Sequence, residues 1–126
     1  MFKTIIVGTD GSERATAAVG EAASVAKATG ANVHVVRAVS GPGGDPEAEA
    51  ERAAETLRRE GVSDVETHVI QEDASEALIN AADQHGADLI VVGNKGMTGA
   101  QRFLLGSVPN DVGHHAHCSV LIARTG

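Results

Sequence analysis

Residues 3–39 read KTIIVGTDGSERATAAVGEAASVAKATGANVHVVRAV. Lys3 to Thr9 is a short β-branched run, the signature of a buried strand. From Ser12 to Thr29, Ala15, Ala18, Val19, Ala22 and Ala26 recur at helical spacing, and Gly30 follows as a C-terminal cap. Ala31 to Val39 is again strand-like. Strand, helix and strand in immediate succession predict a parallel pair with its crossover helix.

The pattern continues outward to the end of the chain. Ser40 to Gly44 is a Gly/Pro loop. Asp45-Pro46 opens a helix, with Asp as cap and Pro at the first helical position. Ala50, Ala53, Ala54 and Leu57 form its apolar face, and Gly61 stops it. Val65 to Ile70 predicts a third strand. Asp73 and Glu76 read as a capping box for a helix ending at Gly86. Ala87 to Val92 is a fourth strand. A glycine-punctuated stretch follows from Gly93 to Gly106, then a helix from Ser107 to Ala116 and a strand from Cys118 to Ala123. The expected fold is α/β, a single domain over residues 1–126 with a doubly wound, open, five-stranded parallel sheet of order 3-2-1-4-5, Rossmann-like.

Composition narrows the function. The 126 residues carry a net charge of −7 and 2% aromatics, with neither Trp nor Tyr. Single-stranded nucleic-acid readers need a basic face and stacking aromatics, so no nucleic-acid role is expected. Residues 45–88 hold 13 of the 17 acids; this reads as a solvated helical face, with the flanking segments mildly basic. One cysteine, Cys118, excludes an internal disulfide and a multi-cysteine zinc site. The opening apolar run is too short for a signal peptide, and Leu89 to Val92 is too short to span a membrane, so a soluble cytoplasmic protein is expected.

Ligands of open parallel sheets bind past the carboxyl ends of the strands, where strand order reverses. Two loops leave the sheet there: Thr9-Asp10-Gly11-Ser12, and the stretch beginning Gly93-Asn94-Lys95-Gly96 and closing on Gly106-Ser107. Glycines let a backbone approach a ligand and reach positive φ. Consecutive amides and a helix N-terminus attract phosphate. Ser107 adds a hydroxyl, and Lys95 and Arg102 are nearby cations. Asp10 is placed to accept from a ribose or base, to help hold a metal ion, or simply to cap a helix. Neither a Walker A sequence nor a G-x-G-x-x-G after the first strand is present, which argues against a P-loop NTPase or a nicotinamide dehydrogenase.

The combination Gly93-x-x-Gly96, nine residues, Gly106-Ser107 resembles the signature of the ATP-binding branch of the universal stress protein family. Ile5 to Ser12 is similar to that family's first strand and loop. His115 to Ile122 is similar to its last helix–strand junction, with Ser119 where Pro is frequent. The resemblance covers essentially the whole chain. It implies an adenine nucleotide alpha hydrolase-like fold and binding of ATP, with or without Mg2+. Gly93, Gly96, Gly106, Ser107 and the amide of Val108 would take ribose and phosphates. Thr9 and Asp10 would lie on the nucleoside side, Ala38 against adenine and Val92 against the sugar. The segment between strands two and three is short for the family.

With order 3-2-1-4-5 the last strand lies at an edge. Ser119 to Ala123 is apolar and carries neither charge nor Pro, so a twofold homodimer through it is expected. His114, His117 and Cys118 stand at i, i+3 and i+4, yet with no fourth ligand they read as surface histidines beside a buried thiol. His34, His68 and His85 read as incidental. The function expected is an ATP-binding regulatory protein with at most slow hydrolysis or autophosphorylation of Ser107. Two alternatives compete: a small nucleotidyl- or phosphoryl-transfer enzyme, and a dimeric interaction module of the same fold that binds no nucleotide.

Overall fold

The computed structural model describes residues 1–94 and 107–124. Five strands, β1 (Thr4–Gly8), β2 (Asn32–Ala38), β3 (Val65–Ile70), β4 (Leu89–Gly93) and β5 (Ser119–Ala123), alternate with four helices, α1 (Ala15–Thr29), α2 (Pro46–Arg59), α3 (Ala74–His85) and α4 (Ser107–His115). The strands form one sheet in the order β3-β2-β1-β4-β5. Every pairing is parallel, with Ile6 opposite His34 on one side and Ile90 on the other. The α/β doubly wound sheet expected from the sequence is therefore observed, order included.

The period-two alternation of the strands builds two cores. Ile5, Val7, Val33, Val35 and Val91 face α1 and α2. Ile6, Val36, Ile90 and Val92 face α3 and α4, where Leu78 and Val112 pack on them. Helix α1 buries only Ala and Val side chains, so its axis lies close to the sheet. The chain winds from central β1 out to β3, then crosses to β4 on the other side of β1. The order reverses between β1 and β4, and the loops leaving their carboxyl ends diverge there.

Helix boundaries refine the sequence reading. Asp45 caps α2, its carboxylate accepting from the Ala48 amide at 3.2 Å, with Pro46 in the first turn. Asp73 stands at the cap position of α3 but makes no side-chain cap bond, so the expected capping box does not form. Helix α1 begins at Ala15, not Ser12. Residues 12–17 first make i to i+3 backbone turns, from Ala15 to Ser12, Thr16 to Glu13 and Ala17 to Arg14. No helix among the described residues is long and apolar enough to cross a membrane.

Candidate functional site

A cleft of about 240 Å³ opens at the carboxyl ends of β1, β2 and β4, near the size of a small-molecule site. Its walls come from Gly8, Thr9, Asp10, Ser12, Arg14 and Ala15 after β1, Val36 and Ala38 of β2, and Val92 and Gly93 of β4. Ala74 and Leu78 of α3 and Ser107, Val108 and Pro109 of α4 complete it. Seven residues singled out in the sequence meet here: Thr9, Asp10, Ala38, Val92, Gly93, Ser107 and Val108. Gly96 and Gly106 lie outside the described residues, as do Lys95 and Arg102.

The first loop is ordered by its own side chains. Asp10 Oδ1 accepts from the Ser12 amide at 2.9 Å and the Ser12 hydroxyl at 2.5 Å, and Thr9 Oγ1 accepts from the Gly11 amide at 3.2 Å. Burial pushes the Asp10 pKa up. The Ser12 hydroxyl and amide, its own amide and the Arg37 cation outweigh that and hold it below the ordinary carboxylate value. Asp10 is thus ionised and oriented at neutral pH, and it is the only acid among the described residues lining the cleft. Its hydrogen bonds close a local turn and do not cap α1, whose cap position is Arg14.

Gly11 needs its glycine: φ is 81° and an added Cβ would collide with the Glu49 carboxylate. Gly93 does not, and its φ is not positive. It ends β4 as an ordinary strand residue paired with Ala123, and an added Cβ would meet nothing closer than 4.0 Å. A side chain there would protrude towards the Arg14 carbonyl, so what glycine provides at this position is access.

Helix α4 starts at Ser107, and Ser107, Val108 and Pro109 of its first turn line the cleft; the first amides of a helix have no carbonyl partners within it. Pro109 removes one of those donors. Arg14 is a cleft-lining cation that the sequence reading missed; its position just after the Asp10–Ser12 turn was the available signal. Leu78, 3% exposed, supplies an apolar floor and fills the space above Gly8, where an added Cβ would lie 3.1 Å from Leu78 Cδ2.

Among the described residues the histidines group differently from the sequence expectation. His117 leaves helix α4 and pairs with Asp83 at 3.1 Å, both exposed, so it does not converge with His114 on Cys118. Burial, then Asp83 and Asp88, push the Cys118 thiol up from its ordinary value. His34, His68 and His85, read as incidental, come together beneath α3, with His34 Nδ1 at 2.9 Å from His68 Nε2. Burial first, then the neighbouring imidazoles, lower the pKa of His34 and His68 against the opposing pull of Glu66. The β2–β3 register puts His34 and His68 on one face of the sheet, and nothing in the sequence brought His85 to them.

The profile of the universal stress protein family matches residues 1–124. A universal stress protein of Mycobacterium tuberculosis is 35% identical, covering 98% of this chain and 97% of its own. Its alignment spans 148 positions, so part of that relative has no counterpart here. A universal stress protein crystallised in complex with cAMP superposes with a TM-score of 0.87 at 34% identity, covering 99% and 98% of the two chains. One from Archaeoglobus fulgidus in complex with dAMP gives 0.78 at 27% identity, covering 96% and 97%.

Proposed function

This chain belongs to the universal stress protein family, and we propose that it is an adenine-nucleotide-binding regulatory protein whose ligand, ATP in the first instance, occupies the cleft between β1 and β4. The observation that carries the reading is the convergence of Thr9, Asp10, Ala38, Val92, Gly93, Ser107 and Val108 on one cavity. Apolar Ala38, Val92 and Leu78 suit a base and sugar. The opening of α4 and the Arg14 cation suit an anion. The relatives solved with cAMP and dAMP hold ligands that share an adenine base on a pentose phosphate, which supports an adenine nucleotide as the ligand here.

Magnesium is held by one or two carboxylates and the phosphates themselves. One oxygen of Asp10 is engaged with Ser12, and a carboxylate lining the cleft fits a shared Mg2+ on a bound polyphosphate. Hydrolysis would be slow, because Asp10 is committed to its own turn and, among the described residues, no second carboxylate or imidazole lines the cleft to act as general base. Product formed faster than a few turnovers per hour would move the reading to a transfer enzyme.

Among the described residues strand β5 pairs only with β4, and Val120, Leu121 and Ile122 are half-buried along it. The other edge, β3, carries Glu66, Thr67 and His68. The apolar edge therefore supports a homodimer through β5. The functional test is to denature protein purified without added nucleotide, identify released nucleotides by mass spectrometry, and titrate the folded protein with Mg-ATP. Saturable binding lost in Ser107→Glu supports the reading. Absence of both bound and titrated nucleotide at millimolar ATP would leave a nucleotide-independent dimeric module.

A further inference from the structure

Far from the cleft, three imidazoles from three elements meet on the α3 side of the sheet. His34 is the third residue of β2, His68 the fourth of β3, and His85 the last of α3. Parallel register places His68 beside Val36 and His34 beside Glu66. The His34 and His85 rings stack with centroids 4.2 Å apart, and His68 lies 5.1 Å and 4.8 Å from them. His34 is 7% exposed.

Buried polar atoms are normally hydrogen-bonded. Among the described residues this cluster holds one hydrogen bond, between His34 Nδ1 and His68 Nε2, for six ring nitrogens. One ring nitrogen from each residue lies within 4.8 Å of the other two. In a tetrahedral site with zinc–nitrogen bonds near 2.1 Å, ligand nitrogens stand roughly 3.4 Å apart. The His34–His68 pair is already closer than that, and a separation of 4.8 Å shortens to it by about 1.4 Å as the rings turn about Cβ–Cγ. His85 ends a helix, next to Gly86 at φ 65°, where such a turn disturbs little of the core.

The geometry points to His34, His68 and His85 as a binding site for a divalent transition-metal ion of the imidazole-preferring kind, zinc being the natural probe. Three histidines leave a fourth coordination position open, for water or an exogenous ligand. On binding, the ion replaces the proton shared between His34 Nδ1 and His68 Nε2, which passes to the other nitrogen of the same ring. Glu66, at the pairing position opposite His34, adds a negative field without being one of the three ligands. Ala74 and Leu78 line the cleft and His85 closes the far end of the same helix, so the site is separate from the nucleotide reading.

The test is a titration of the full chain with zinc chloride against a chromophoric chelator, with side-chain nitrogen NMR of the six histidines. The expected result is one tight equivalent of zinc. Its uptake shifts His34 Nδ1, His68 Nε2 and one ring nitrogen of His85. His68→Gln or His85→Asn should weaken that equivalent by roughly 100-fold, at least the upper range for losing an outer-shell partner. Changing His114, His115 and His117 together to Asn should leave it intact. The inference is overturned if zinc binds no tighter than to the unfolded chain. It is equally overturned if the tight equivalent survives both cluster variants or shifts only His114, His115 and His117. If a cluster variant fails to fold by circular dichroism, the nitrogen shifts of the native chain decide the matter alone.

Discussion

Replacing Gly11 by Ala should cost about 2–4 kcal/mol, for two separable reasons. The backbone at Gly11 is left-handed, φ 81°, which costs a side-chain-bearing residue roughly 1–2 kcal/mol. The new Cβ would also displace the Glu49 carboxylate, which pairs with Arg37 Nε at 2.8 Å where the two side chains are 18% and 20% exposed. A charge-assisted hydrogen bond contributes about 1.5–3 kcal/mol, and partial exposure takes this one to the lower end, about 1–2 kcal/mol. For a domain of this size the sum lowers Tm by roughly 10 °C. The assay is thermal and urea unfolding of Gly11→Ala, Glu49→Ala and the double variant. With Glu49 already removed, Gly11→Ala should cost only the backbone part, about 1–2 kcal/mol, leaving a coupling of about 1–2 kcal/mol. A fully stable Gly11→Ala protein, or the same cost in both backgrounds, would refute the reasoning.

Ser107→Glu places a carboxylate where phosphate is proposed to sit, while remaining favourable to the start of α4. Like-charge contact costs several kcal/mol, so Mg-ATP affinity should fall roughly 100-fold by calorimetry with Tm unchanged or raised. Leu57→Ala empties a fully buried position against the α1 side of the sheet. It should cost about 2–5 kcal/mol in urea unfolding without a change in mechanism of binding. Cys118 has its thiol pKa raised above the ordinary 9.0. Between those values the unfolded chain releases a proton that the folded chain keeps, so stability falls as pH rises past 9.0, and Cys118→Ala should flatten that slope. The same shift means that iodoacetamide labels folded protein more slowly than unfolded protein at pH 8.

The sheet was legible because parallel strands buried on both faces read as continuous apolar runs, as in Ile5-Ile6-Val7 and Leu89-Ile90-Val91-Val92. Alanines at helical spacing marked α1 and α2 equally plainly. Thr9, Asp10, Gly93 and Ser107 of the cleft were also foreseeable, since strand ends flanking the reversal of order share one crevice, while Ala38, Val92 and Val108 followed from the family resemblance. Local chemistry was less legible. Asp10-Gly-Ser and Asp73-x-x-Glu76 both carry capping sequences, yet the first closes its own turn and the second leaves its cap bond unmade. Which hydrogen bond a short polar side chain makes depends on backbone angles that composition does not specify. The histidines illustrate the larger gap. His114, His117 and Cys118 sit close in sequence, but α4 ends at His115 and the spacing argument fails with it. His34, His68 and His85 are spread over 52 positions, and only the β2–β3 register and the path of α3 bring them together.

The most direct check on the central claim is a backbone-amide NMR titration of the native chain with Mg-ATP. Saturable shifts are expected at Thr9, Asp10, Ala38, Val92, Gly93, Ser107 and Val108, with β3 and the far end of α3 undisturbed. The absence of saturable shifts at millimolar nucleotide, or shifts centred away from the carboxyl ends of β1 and β4, would contradict it.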